Sequence, residues 1–293
     1  MNYLIATTVL WAFSFSLISE FLAGRVDSWF SAFFRVALAA LVFIPVLVRH
    51  RVATKIALKM MAIGGCQLGL MYVFYFKSFE LLTVPEVLLF TVLTPIYVTL
   101  IYDFLEGRFC PWYLLSAVLA VAGAVVIKMT PVNSQFIQGF LVVQGANLCF
   151  AIGQVAYKKL LEKEARELPQ HTIFGWFYIG AVLVAGSVFA LHALTLPMPI
   201  KLPTTISQWG ILIYLGTIAS GIGYFLWNKG ATQVNAGALA VMNNALVPAG
   251  LLVNLTIWQH SVDVPRLLAG GALILASLWL NETWIKRKAE AAN

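Results

Sequence analysis

Charged side chains are scarce in this chain: they make up only 11% of its 293 residues, against 61% apolar ones, and the mean hydropathy is +0.87. That excludes an ordinary soluble domain, in which about a quarter of the residues carry charge. Cysteine is nearly as rare. Cys66, Cys110 and Cys149 lie in or beside apolar stretches without CxxC spacing, which excludes a disulfide framework and a thiolate metal centre and leaves small buried hydrophobes. A Gly-rich phosphate loop, a paired-acid motif and a Ser/His/Asp arrangement of known spacing are all missing. No enzyme activity, nucleotide, cofactor or metal is therefore implied. The formal charge of +7 does not point to nucleic acid, because Lys and Arg are scattered among short loops rather than set in a stripe with interleaved aromatics.

What is present is a series of long apolar runs. They fall near residues 3–21, 28–48, 57–79, 84–102, 111–128, 136–157, 172–193, 208–227, 235–258 and 265–284, each of a length that crosses ~30 Å of hydrocarbon as a helix. The first has neither a basic lead-in nor a convincing small-residue cleavage site and reads as a retained helix. The fold class is thus all-α integral membrane, with the lipid bilayer as solvent. Placing the N-terminus inside puts Arg49, Arg51, Lys55, Lys59, Arg108, Lys158, Lys159, Lys163, Arg166, Lys229, Lys286, Arg287 and Lys288 on the cytoplasmic side. Arg25, Lys77, Lys128, Lys201 and Arg266 face the other way, and Arg35 lies within the second run. Short loops rich in Lys and Arg resist translocation, so both termini are expected in the cytoplasm.

The two halves of the chain resemble each other. Tyr75 and the string Thr91-Val92-Leu93-Thr94-Pro95 align with Asn228 and Asn244-Ala245-Leu246-Val247-Pro248 at a constant offset of 153 residues, and Pro111 and Pro265 open the fifth and tenth runs. Phe13-Ser14 can be placed over Ile152-Gly153. Five helices per repeat force the second copy to insert upside down, which gives two inverted five-helix repeats, 1–130 and 131–293.

Function should reside in polar groups held inside the helices, where each is costly unless it meets a partner or water. The sixth run carries Gln144, Asn147, Gln154 and Lys158 along one face, and the ninth carries Asn243 and Asn254, with Asn244 beside them and Pro248 interrupting the backbone ladder. These amides either line a shared cavity or bridge neighbouring helices. Tyr72 and Tyr75 in the third run and Tyr224 and Trp227 in the eighth offer aromatic faces with hydrogen-bonding tips, suited to an organic substrate. Trp227 reads equally as an interfacial anchor. Arg35, about 10 Å into the second helix, either holds a carboxylate or snorkels toward Glu20 and Asp27. Glu86 either exchanges a proton or pairs with Lys77.

Leu10-Trp11-Ala12-Phe13-Ser14-Phe15-Ser16, the two segments around Pro95 and Pro248, and Glu106 resemble the drug/metabolite transporter superfamily of EamA type. The second repeat departs from that pattern, with Gln259-His260 where the first has Glu106. Leu88-Leu89-Phe90-Thr91-Val92-Leu93-Thr94-Pro95, Ser220-Gly221-Ile222-Gly223-Tyr224-Phe225 and Met242-Asn243-Asn244 are similar to the biotin-transporting group of its carboxylate/amino acid/amine branch. The resemblance implies uptake of biotin, or a similar amphipathic anion, across the bacterial cell inner membrane by secondary transport. The alternative on the same scaffold is export of amino acids or other small metabolites. The substrate site is expected at Trp11, Arg35, Tyr72, Tyr75, Gln144, Asn147, Tyr224, Trp227, Asn243 and Asn244, with Glu86 as the candidate proton carrier.

Overall fold

A backbone surrounded by lipid must satisfy its N–H and C=O groups within the segment itself, and a chain this apolar therefore folds into helices. The computed structural model describes residues 1–22, 24–78, 81–82, 87, 90–107, 109–128, 136–195, 200–259 and 263–285, and no β-strand occurs among them. In chain order the helices are α1 (Asn2–Leu17), α2 (Ser28–Arg49), α3 (Thr54–Gly64), α4 (Met71–Ser78) and α5 (Thr94–Glu106). There follow α6 (Pro111–Lys128), α7 (Phe136–Lys163), α8 (Gln170–Thr195), α9 (Ile206–Tyr214), α10 (Gly223–Ala231), α11 (Ala236–Thr256) and α12 (Val264–Leu280). One wide π turn, Gly65–Leu70, joins α3 to α4 without a break, and a second, Leu215–Ile222, joins α9 to α10. Shorter π turns close α1 (Ile18–Leu22) and α12 (Asn281–Ile285).

Among the described residues, seven helices are long and apolar enough to cross a membrane: 28–49, 54–75, 136–163, 170–195, 206–231, 236–253 and 264–284. Leu41, Val48, Leu183, Leu268 and Leu275 are exposed on their outer faces, as lipid-facing positions require. Helices also occupy the other three apolar runs: that at 3–21 is α1 plus its π turn, that at 111–128 is α6, and in that at 84–102 Val87, Phe90 and Thr91 are helical before a turn at 92–93, after which α5 starts anew at Thr94. Pro95 explains this break, because it offers no N–H to the carbonyl of Thr91. Glu86 lies outside the described residues. In the other direction, α7 runs past the expected end at 157 to Lys163, and the side chains of Lys158 and Lys159 are buried at its end.

Helix starts are set locally. The Asp27 carboxylate accepts from the Phe30 N–H at 2.8 Å, the Asn235 side chain from Ala238 at 2.8 Å, and Asp263 from Arg266 at 3.1 Å. Thr205 and Gln208 form a reciprocal capping box at α9. Packing then depends on small residues. A Cβ on Gly64 would lie 1.9 Å from the Phe177 carbonyl oxygen, and one on Gly180 would lie 1.9 Å from that of Met61, so α3 and α8 cross backbone to backbone. Gly123 and Gly270 do the same for α6 and α12, at 2.7 and 2.3 Å from each other's carbonyl oxygens.

These crossings position the centre of the molecule. Helix α2 packs on α8 and on the Leu215–Ile222 π turn, and α8 packs on α3 and the Gly65–Leu70 π turn. Helix α1 packs on α10 and α11, α7 packs on α4 and α5, and α11 crosses α5. Replacing Gly180 by Ala is expected to lower the thermal midpoint of the purified protein by several degrees, whereas Gly210→Ala, with open space at its Cβ, is expected to leave it unchanged. Tryptophan-fluorescence melting in detergent measures both.

Candidate functional site

Four helices bring aromatic side chains together at the centre. The Trp11 ring of α1 stacks on Trp227 of α10, with centroids 5.1 Å apart, and lies 4.9 Å from Tyr224 and 6.5 Å from Phe150 of α7. Tyr72 of α4 is buried beside them, within hydrogen-bonding reach of Tyr224. Trp227 is 2% exposed, and its indole N–H donates to Gln154 Oε1 at 3.0 Å. It is an interior residue, not an interfacial anchor.

The π turn before α10 explains how this group is held. A π turn shifts its backbone bonds from i+4 to i+5 and leaves carbonyls turned toward neighbouring side chains. The Trp11 indole N–H donates to the Ala219 carbonyl at 2.9 Å, and the buried Tyr178 hydroxyl donates to those of Ser220 and Gly221, each at 2.7 Å. Three consecutive carbonyls thus tie α1 and α8 to this turn. The Ser220 side chain faces the other way and meets Arg35.

Arg35 turns inward from α2. Its Nη2 donates to Ser220 Oγ at 3.2 Å, and its guanidinium carbon lies 5.6 Å from the centre of the Tyr72 ring. Its field reaches the Tyr75 and Tyr224 hydroxyls. The buried Nε has no hydrogen-bond partner. No described carboxylate pairs with Arg35, and its side chain does not reach out to Glu20 or Asp27. A guanidinium in this setting is attracted to aromatic faces, yet retains donors for a planar anion.

The amides form a second assembly around the interruption before α5. Ile96 N–H bonds to Leu93 rather than Val92, and Pro95 has no N–H, so the carbonyls of Thr91 and Val92 lose their usual helical partners, next to that of Phe90. Side chains replace them. The Thr94 hydroxyl donates to Thr91 at 2.7 Å, Asn244 donates to Val92 at 3.0 Å, and Asn147 and Gln144 donate to Phe90 at 2.9 and 3.3 Å. Tyr97 donates to Gln144 Oε1 at 3.0 Å. Gln154 donates to Asn243 at 3.4 Å, and Asn243 donates to the Leu239 carbonyl at 2.7 Å. In this conformation Gln144, Asn147 and Asn244 bridge helices, while Trp11, Tyr224 and Trp227 form one aromatic group and Arg35 lies against the Tyr72 ring beside it.

At one end of the bundle, acids and lysines interlock. Lys159 contacts Glu106, Glu162 at 3.0 Å and the Tyr102 ring at 3.9 Å. Lys158 meets Glu162 at 2.9 Å and donates to the Val234 carbonyl at 2.8 Å, and Lys55 and Lys59 meet Glu164. No cluster of potential metal ligands occurs among the described residues.

Phe150, Gln154, Tyr178, Ser220 and Gln67 join the centre from outside the expected set. Ser220 bonds Arg35, and Gln67 in the Gly65–Leu70 π turn is fully buried with neither amide atom hydrogen-bonded. A lone amide inside the third apolar run was a visible signal for Gln67; the inward turn of Ser220 depends on a π turn that has no sequence signature.

A polytopic helical bundle with a guanidinium and aromatic rings at its centre fits the membrane transporter class. The sequence profile of the EamA-like transporter family matches residues 1–129 and 137–283. The chain belongs to that family and is a multi-pass membrane transporter. It is 52% identical over 295 residues to the biotin transporter of Salmonella typhimurium, covering 100% of this chain and 97% of that one. It is 51% identical over 281 residues to the probable biotin transporter of Pseudomonas aeruginosa, covering 96% of this chain and 97% of that one. A solved crystal structure, 20% identical, superimposes with a TM-score of 0.76 over 94% of each chain.

Removing the amide of Asn147 or Asn244 strands a buried carbonyl, at a cost of about 1–3 kcal/mol. Asn244→Leu is therefore expected to lower the melting temperature by several degrees, and Asn147→Leu by less, because Gln144 also donates to Phe90. Melting curves of the substrate-free proteins check the order.

Proposed function

We propose that this protein is a secondary active transporter that takes up biotin, or a similar amphipathic anion, across the bacterial cell inner membrane by alternating access. The observation that carries the reading is Arg35, a guanidinium inside an apolar helix with an aromatic wall and no described carboxylate partner. Biotin presents a carboxylate for that charge, an apolar chain and ring for Trp11, Tyr72, Tyr75, Tyr224 and Trp227, and a ureido group that needs donors and acceptors. The relatives named as biotin transporters support the same substrate.

Two inverted five-helix repeats, 1–130 and 131–293, supply the moving parts. Support comes from the pairing of helices, which is preserved when the halves are exchanged. Helix α1 meets α11 as α7 meets α5, and α1 meets α10 as α7 meets α4. The α2 contact with one π turn matches the α8 contact with the other. The basic residues favour cytoplasmic termini, which makes the Lys158/Lys159 cluster a cytoplasmic closure. Rocking of the halves would separate Gln144, Asn147 and Asn244 from the carbonyls they now hold and present them, with Asn243, to substrate. Glu86 is the proposed proton carrier, on sequence grounds alone.

Proteoliposomes containing the protein are expected to accumulate labelled biotin saturably, and more so with an inwardly directed proton gradient. Arg35→Ala is expected to raise the half-saturating concentration by roughly 10- to 100-fold, the worth of a charge-assisted hydrogen bond, without loss of folded protein. Absence of uptake by correctly folded wild type would remove biotin from the proposal.

A further inference from the structure

Gln67 stands apart from every other interior amide. Gln144, Asn147, Gln154, Asn243 and Asn244 each donate to a protein acceptor, whereas Gln67, 0% exposed, has neither its Oε1 nor its Nε2 hydrogen-bonded. A buried carboxamide without a protein partner is strongly disfavoured unless something other than protein completes it. The surroundings are built to admit this side chain. Gly153 of α7 lies so close that a Cβ there would be 2.1 Å from Gln67 Cβ, and any larger residue would expel it. The adjacent Gln154 is already engaged at both ends, accepting from Trp227 and donating to Asn243.

Position adds a second argument. The offset of 153 that aligns the halves sets Gln67 over Ser220, and both occupy the wide π turns of their segments. Ser220 meets the guanidinium of Arg35; Gln67 is the matching position of the other half, against Gly153 of α7 and without a described hydrogen-bond partner. Gln67 also precedes Tyr72 by five residues, roughly 7 Å along a helix axis, and the Tyr72 ring lies under Arg35. The centre therefore has a cationic end and an amide end.

We infer that Gln67 is a specificity-determining residue that pairs with a cyclic urea or cis-amide on the substrate, while Arg35 takes the carboxylate at the other end; the inference rests on the transport reading above. A carboxamide offers one N–H and one C=O side by side, and a cyclic urea offers the complementary C=O and N–H, so the two close a pair of hydrogen bonds. A site with such a group discriminates against analogues lacking its complement, because their binding leaves the amide unpaired.

The test uses full-length protein in detergent or proteoliposomes, with biotin, desthiobiotin, which keeps the ureido ring, and lipoate, which keeps the carboxylate and valeryl chain but has no ureido group. Wild type is expected to prefer biotin and desthiobiotin to lipoate. Gln67→Met, of similar length and apolar, is expected to weaken both ureido ligands by roughly 10- to 100-fold and to leave lipoate unchanged, collapsing the preference. Substrate-free Gln67→Met should melt no lower than wild type, since an unpaired amide is removed; a merely structural glutamine would melt lower. Gln67→Leu repeats the measurement should Met not yield folded protein. A biotin-to-lipoate ratio unchanged in a folded variant overturns the inference alone, leaving the transport reading intact. Failure of wild type to bind either ureido ligand overturns both.

Discussion

Inside hydrocarbon there is no water to complete a hydrogen bond, so each buried polar group must be matched by another part of the protein or by cargo, and the interior is organised around that constraint. Where the helix breaks before α5, Thr94, Gln144, Asn147 and Asn244 donate to the carbonyls of Phe90, Thr91 and Val92. Where a π turn exposes the carbonyls of Ala219, Ser220 and Gly221, Trp11 and Tyr178 supply them. Once these debts are settled, the buried polar atoms still without a described partner include the Nε of Arg35, Asn228 Oδ1 and, alone in lacking a partner at both ends, the carboxamide of Gln67.

Those interruptions also separate fixed contacts from exchangeable ones. The α3–α8 and α6–α12 crossings are close backbone contacts made at glycines, the second with one further hydrogen bond from Ser277 to the Ser116 carbonyl, and permit small displacements of rigid helices. The bonds to Phe90 and Val92 are different, because each joins α7 or α11 to an irregular segment by a side chain that can exchange partners. In the proposed cycle, motion between the halves would exchange bonds of this second kind while the glycine crossings act as pivots. The acid and lysine contacts of Glu106, Lys158, Lys159 and Glu162 would open and close with the same movement.

Much of this was legible in the residues. Apolar runs locate the helices, and Pro111 and Pro265 open α6 and α12. The residues left two readings open for Arg35 and for Trp227, and packing decides both by turning them inward. What the residues could not convey is which amides are taken up by the backbone, since that depends on where the helical ladder breaks in three dimensions. The π turns at Gly65–Leu70 and Leu215–Ile222 are likewise set by packing against α8 and α2 and carry no pattern of their own. Gln67 was visible as a polar residue in an apolar run, but only its burial and lack of partners distinguish it from the bridging amides.

The central claim is that the Arg35 guanidinium receives the anionic end of the substrate. Equilibrium binding of biotin and of biotinamide, its uncharged carboxamide, to purified wild-type protein tests it most directly, because the two ligands share every other group. The account predicts that biotin binds roughly tenfold or more tightly; equal affinities for the charged and the neutral ligand would contradict it.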